Sequence, residues 1–147
     1  MEIRKAGLAD LESLVPLFDG YRQFYRKPSD IEAVRNFLHQ RISREESVIY
    51  LAWNDINKAM GFVQLYPSFS SVSMKRLWVL NDLYVASAYR RQKVGQRLIE
   101  QARELAAQTS ASALMLETEV SNEHAQQLYE KLGFEKSIDY YVYYLRI

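Results

Sequence analysis

The stretch Leu80–Gly95, LNDLYVASAYRRQKVG, followed by QRLIEQARELA, constrains this chain more than any other part of it. An apolar, β-forming run leads into a short turn, an arginine pair, and a small residue that opens an amphipathic helix. The first amides of a helix have no intrahelical acceptor, and the macrodipole adds partial positive charge there. A strand that delivers the chain to such a turn builds a cradle for a phosphate or pyrophosphate. Arg90, Arg91 and Lys93 add full charges around those amides. The dipole disfavours cations at a helix N-terminus, so three of them together point to an anion rather than to a solvated basic turn. Two other phosphate motifs are excluded: no GxGxxG follows the first strand, and no GxxxxGK with Ser or Thr after it occurs.

Hydrophobic periodicity supplies the elements on either side. Ile3 to Ala6 reads as a first strand. Asp10 sits in the first turn of a helix whose apolar residues Leu11, Leu14, Val15 and Phe18 recur at helical spacing. Pro16 is expected to kink it and Gly20 to weaken it, with a bent continuation through Tyr21 and Tyr25. Ser29 and Glu32 form a capping-box pattern ahead of the stripe Ile31, Val34, Leu38, Ile42. Val48–Trp53 reads as a strand, 54–57 as a turn, Ala59–Tyr66 as an antiparallel return and Leu77–Val85 as the next long strand. Pro67–Lys75 reads as a loop, or as pairing at its edges.

The pattern then becomes strand–helix–strand. Val94, Leu98, Ala102 and Leu105 stripe the helix, and Ala113–Thr118 reads as a buried parallel strand reached by a right-handed crossover. Ser121 or Asn122 caps the next helix, and Gly133 suits its left-handed C-terminal cap. Phe134–Lys136 and Tyr140–Ile147 are predicted to close the sheet as two antiparallel strands. The expected fold class is α/β: a single domain over 1–147 with a mixed, mostly antiparallel sheet, one central parallel pair and flanking helices.

Composition closes several alternatives. The 147 residues suffice for one well-buried core. There is no cysteine, which excludes disulfides, thiolate metal sites and a cysteine nucleophile. His39 and His124 lack metal-site spacing, so no metal is expected. A formal net charge of +1 argues against a general nucleic-acid binder. No apolar run approaches the ~20 residues that span a bilayer, and MEIRKAGLADLE lacks a signal-peptide core. A cytoplasmic protein is the expectation.

Read together with NEHAQQLYEKLGFE at 122–135, the Leu80–Gly95 pattern resembles the GNAT superfamily of acetyl-CoA-dependent N-acetyltransferases. The family's loop, Arg/Gln-x-x-Gly-x-Gly/Ala, falls on Arg90-Arg91-Gln92-Lys93-Val94-Gly95. Its second motif, Asn-x-x-Ala-x-x-Leu-Tyr-x-x-x-Gly-Phe, falls on Asn122, Ala125, Leu128, Tyr129, Gly133 and Phe134. The match is specific over residues 77–136 and looser before them. Lys93 departs from it by standing at the first glycine. If that position takes helical torsions a lysine forms the loop, with Cβ holding the anion farther off and the ammonium partly compensating.

The resemblance implies acetyl-CoA as cosubstrate and a sheet splayed between the Leu77–Val85 and Ala113–Thr118 strands. The pantetheine arm would pair with the backbone of Leu83, Tyr84 and Val85, and the diphosphate would sit on the amides of Gln92, Lys93, Val94, Gly95 and Gln96. Asn122 would serve as helix cap and as cofactor contact. An amine attacks the thioester directly, a strand amide near Leu83 or Tyr84 holds the oxyanion, and Tyr129 protonates the thiolate; the bland reading of Tyr129 is core packing. Strand alternation puts Asn81 and Asp82 on opposite faces. Asp82 is then either a structural hydrogen-bond partner or a base or amine anchor in the cleft. Related polyamine acetyltransferases carry an acidic pair at these positions, of which this chain keeps Asp82 and replaces the other with Asn81. Tyr21 and Tyr25 fall where the family lines its acceptor site, although core packing accounts for most aromatics of this kind. The YYVYYL run is weak evidence, and Glu117 and His124 receive no role. The expected acceptor is a primary amine of a small molecule or peptide, with no membrane or nucleic-acid partner and a homodimer left open. The rival readings are a non-catalytic acyl-CoA-binding sensor and a module whose basic turn binds RNA or protein.

Overall fold

The computed structural model describes residues 1–147 as two compact units, Met1–Leu116 and Glu117–Ile147. The first unit is built on a five-stranded sheet in the order β1 (Glu2–Lys5), β2 (Val48–Trp53), β3 (Ala59–Ser70), β4 (Lys75–Val85), β5 (Ala113–Met115). Neighbours are antiparallel except for β4 and β5, which are parallel. Asn54 shapes the β2–β3 turn: its Oδ1 accepts from the amides of Ile56 at 3.2 Å and Lys58 at 2.8 Å. The β3–β4 ladder runs out to Ser70 opposite Lys75, so most of the serine-rich stretch is sheet. Pro67 is tolerated because β2 pairs no farther than Leu65, leaving β3 an edge beyond it.

Helices α1 (Leu11–Phe24) and α2 (Ile31–Ser43) cover one face. Leu14, Val15, Phe18 and Leu38 join Leu51 and Phe62 in the core there. Burial of each such side chain contributes about 1.5–3 kcal/mol. That outweighs the ~3 kcal/mol an internal proline costs, and α1 runs unbroken through Pro16 and Gly20 to Phe24. The capping box at Ser29 does not form. Asp30 caps α2 by accepting from the Ala33 amide at 3.1 Å, while the Ser29 hydroxyl donates to Asp19 at 2.7 Å. On the other face α3 (Val94–Gln108) buries Val94, Leu98, Ile99, Ala102 and Ala106.

In the second unit α4 (Glu123–Lys131) is capped by Asn122, whose Oδ1 accepts from the Ala125 amide at 3.2 Å. It ends in a Schellman motif: the Phe134 amide reaches the Tyr129 carbonyl, the Gly133 amide reaches Glu130, and Gly133 has φ 95°. The hydrophobic contact that accompanies the motif is Tyr129 against Phe134, with ring centroids 5.8 Å apart. Leu-Tyr-x-x-x-Gly-Phe is thus partly a helix-stop signal.

Some of the expected strands depart from the sequence reading as well. The parallel strand is three residues, Ala113–Met115, rather than Ala113–Thr118, and Ala113 and Met115 are exposed. Phe134–Lys136 and Tyr140–Ile147 form no strands. Their composition favours strands, but a ladder needs a partner edge, which local composition does not supply.

Candidate active site

A single bulge aims the site. Val63 pairs with Leu83 and Gln64 with Asp82, but Leu65 pairs with Leu80, so Asn81 is the extra residue on β4. Before it, Trp78 faces α3, donating from its indole to Thr109 at 2.9 Å. Beyond it, Tyr84 lies opposite Phe62 on the α1 face, its ring 6.4 Å from Tyr21. Asp82 shares that face through its pairing with Gln64. The bulge also overturns the expected separation of Asn81 and Asp82: the Asn81 amide donates to Asp82 Oδ1 at 3.1 Å.

Asp82 is 4% exposed and sits at the end of a polar chain across the sheet. Ser47 donates to Gln64 Oε1 at 2.8 Å, and Gln64 Nε2 donates to Asp82 Oδ2 at 2.6 Å. Burial raises the Asp82 pKa, against hydrogen bonds from Gln64, Tyr21 and Asn81 that pull it down. Tyr66 is pushed up to about 12 by burial and then by the Asp82 charge, which keeps it a neutral phenol. Ser47, Gln64 and Tyr66 escaped the sequence reading. A glutamine inside the apolar run MGFVQLY was the available signal, since a fully buried amide demands partners.

Aromatic rings rise from Asp82 along α1. Tyr21 lies 5.9 Å from Phe62 and 5.1 Å from Tyr25, and Tyr25 lies 5.3 Å from the half-exposed Phe24. The Tyr21 hydroxyl also donates to the Asn81 carbonyl at 3.4 Å. Gly20 makes this closeness feasible, because a Cβ there would stand 2.8 Å from the Tyr84 hydroxyl.

The other half of the site follows β4 directly. Pairing with β5 covers only Leu77–Val79, so Leu83, Tyr84 and Val85 carry β3 on one side and no strand on the other. A 3-10 turn at Ser87–Tyr89 leads to the arginines. Arg90 folds back, its Nε donating to the Val85 carbonyl at 3.0 Å with its guanidinium 5.7 Å from the Tyr84 ring. Gln92 likewise donates to the Ala88 carbonyl at 3.3 Å. These two brace the turn, while Arg91 and Lys93 are exposed. Lys93 does not take helical torsions: it is left-handed, with φ 63° and ψ 16°, and Arg91 has φ 62°. This is why a glycine suits position 93. No side chain caps α3 and no acid lies in its first turn. The amides of Val94, Gly95 and Gln96 therefore meet no acidic side chain of the helix's own first turn, the arrangement that suits an anion from outside. Asn122 and Tyr129 lie on α4, in the second unit.

An uncapped, cation-flanked helix start thus follows an open strand edge, with a buried carboxylate upstream on the same strand. Residues 14–134 match the model described as the acetyltransferase (GNAT) family. The chain belongs to that family and is an acetyltransferase. It is 43% identical over its whole length to 98% of the uncharacterized N-acetyltransferase YhfO of Bacillus subtilis. Over 80% of its length it is 33% identical to 80% of a probable acetyltransferase of Haemophilus influenzae. The crystal structure of a probable acetyltransferase shares 47% identity and a TM-score of 0.95, covering 100% of this chain and 98% of that one. A ribosomal-protein-alanine N-acetyltransferase from Brucella melitensis, 23% identical with both chains fully covered, shares the fold at a TM-score of 0.82.

Proposed function

We propose that the protein transfers the acetyl group of acetyl-CoA to a primary amine of a small molecule or peptide, by direct attack in a ternary complex. The observation that carries this reading is Asp82, buried on β4 at the foot of the Tyr21–Tyr25 aromatics, on the strand that leads into the uncapped start of α3. The open β4 edge at Leu83–Val85 offers backbone groups to the pantetheine arm as an added strand would. The amides of Val94–Gln96, with Arg91 and Lys93, receive the diphosphate.

An ordinary alkylamine of pKa about 10.4 is only ~0.04% neutral at pH 7, a penalty near 4.6 kcal/mol before attack. Asp82 answers it by accepting the amine proton, directly or through water, and the aromatics cover the aliphatic stem. The amine nitrogen bonds to the thioester carbonyl while a β4 amide near Leu83 or Tyr84 holds the oxyanion; the C–S bond then breaks. Tyr129 supplies the proton to the departing thiolate. Transfer from a phenol of ordinary pKa, about 10, to a thiolate near 8.5 runs uphill by roughly 2 kcal/mol, which a short charge-assisted hydrogen bond offsets.

The test is thiol release from acetyl-CoA across a panel of polyamines, aminoglycosides and peptide amines. The expected result is acetylated amine in step with free thiol. Tyr129→Phe keeps the ring against Phe134 and should lower turnover about 10²- to 10⁴-fold. Binding of acetyl-CoA with no transfer to any amine would make the protein a sensor instead.

A further inference from the structure

Gln64 lies on β3 between Val63 and Leu65, and all three are 0% exposed. An apolar side chain of similar size would fill that place without desolvating an amide. The ladder sets Gln64 opposite Asp82, and the part-buried Ser47 lies just ahead of β2 on its other side.

A carboxamide presents an oxygen at one corner and an NH2 of nearly the same size at the other, so its neighbours decide which way it points. Here Nε2 donates to Asp82 Oδ2 at 2.6 Å, and Ser47 donates to Oε1 at 2.8 Å. That order serves a carboxylate, which only accepts. Half a turn about the last torsion reverses it. Oε1 then accepts from a protonated Oδ2, Nε2 donates to the Ser47 oxygen, and the serine hydrogen turns to water. Both protonation states of Asp82 are satisfied in the same space, with no charge moved. A lysine or arginine at position 64 would satisfy only the anion and leave Asp82 too weak a base.

The other groups around Asp82 are Asn81 on its own strand, Tyr21 from α1 and Tyr66 from β3. Arg41 of α2 acts on Tyr66 and pairs with Glu46 at 3.1 Å. Burial pushes the carboxyl up, and of the hydrogen bonds that oppose it Gln64's is the strongest, ahead of Tyr21 and Asn81.

We propose that Gln64, oriented by Ser47, is the positioning residue of Asp82: its amide donates to the carboxylate before a proton arrives and, turned over, accepts from the carboxylic acid afterwards. The catalytic consequence rests on the base role proposed above for Asp82. The amine N–H bond breaks, the proton joins Asp82, and the amide reverses to hold it.

Carbon-13 spectra of the Asp82 carboxyl in the unliganded full chain read its titration directly. Gln64→Leu removes the donor and should raise the midpoint by about one to two pH units. Ser47→Ala should raise it by less, since an unpolarised amide donates more weakly, and Ser47→Thr should restore it. In the wild type the Gln64 amide protons should titrate at the carboxyl's midpoint. An unmoved midpoint in folded Gln64→Leu, whatever its melting temperature, overturns the assignment, and so do amide protons that ignore the carboxyl's titration. If Gln64→Leu does not fold, an unmoved midpoint in Ser47→Ala overturns it alone. The acid limb of kcat/KM, plotted per neutral amine, should move with the carboxyl in each variant. A carboxyl that moves while the limb stays fixed supports the role of Gln64 and overturns Asp82 as the base.

Discussion

Burial holds the Asp82 carboxyl above its ordinary value near 3.8, and the amides of Gln64 and Asn81 with Tyr21 recover only part of the shift. A carboxyl raised on folding adds stability below its unfolded pKa and loses that contribution as pH rises through the folded one. Asp82→Asn removes this titration. The variant's melting temperature should therefore climb relative to wild type as pH rises above the ordinary carboxylate range; a constant difference would mean that the charge is not buried. Its kcat/KM should fall most near neutral pH and recover toward about pH 10, where the amine needs no base. Lys93 makes a second case. A left-handed non-glycine costs about 1–2 kcal/mol, and glycine gives back about 0.4–1 kcal/mol through the unfolded chain. Lys93→Gly should then stabilise by roughly 0.5 kcal/mol in urea titration, and a clear loss would show that the lysine side chain holds a partner. Neither feature was legible beforehand. Alternation along LNDLYV hid the bulge, and nothing in RRQKVG states a torsion; only the glycine of the family pattern hinted at it.

Elements were more readable than residues, because period and caps are local. β2 falls where its composition put it, and the apolar stripe of α3 and the caps Asn122 and Gly133 follow the same rules. What local pattern could not state is pairing: how far β3 and β4 extend, how short β5 is, and that the tyrosine-rich tail has no ladder. Gly20 shows an element shaped by its neighbour. Alanine should favour an exposed helix interior by about 1 kcal/mol, but here its Cβ would meet Tyr84 Oη at 2.8 Å and Cζ at 3.2 Å. Gly20→Ala should accordingly cost stability in the wild type and cost less in a Tyr84→Phe background. A double-mutant cycle by chemical denaturation should return a coupling of about 1 kcal/mol. Additive effects would mean that Tyr84 swings away freely.

For the molecule as a whole, the site should be visible as stability. Acetyl-CoA at 100 times its dissociation constant should add about 2.7 kcal/mol to the folded state and raise the melting temperature. Gly95→Asp, which sets a carboxylate among the α3 amides, should abolish that shift while leaving the unliganded melting temperature nearly unchanged. A retained shift would place the diphosphate elsewhere. The bulge at Asn81 carries a consequence of another kind. A one-residue deletion between Leu77 and Leu80 would turn one part of the strand to the wrong faces of the sheet, whereas loss of Asn81 itself would leave every other side chain of β4 on the face it now occupies. The residue that aims the site is therefore also the one position in the strand where the chain can shorten without exchanging core for surface.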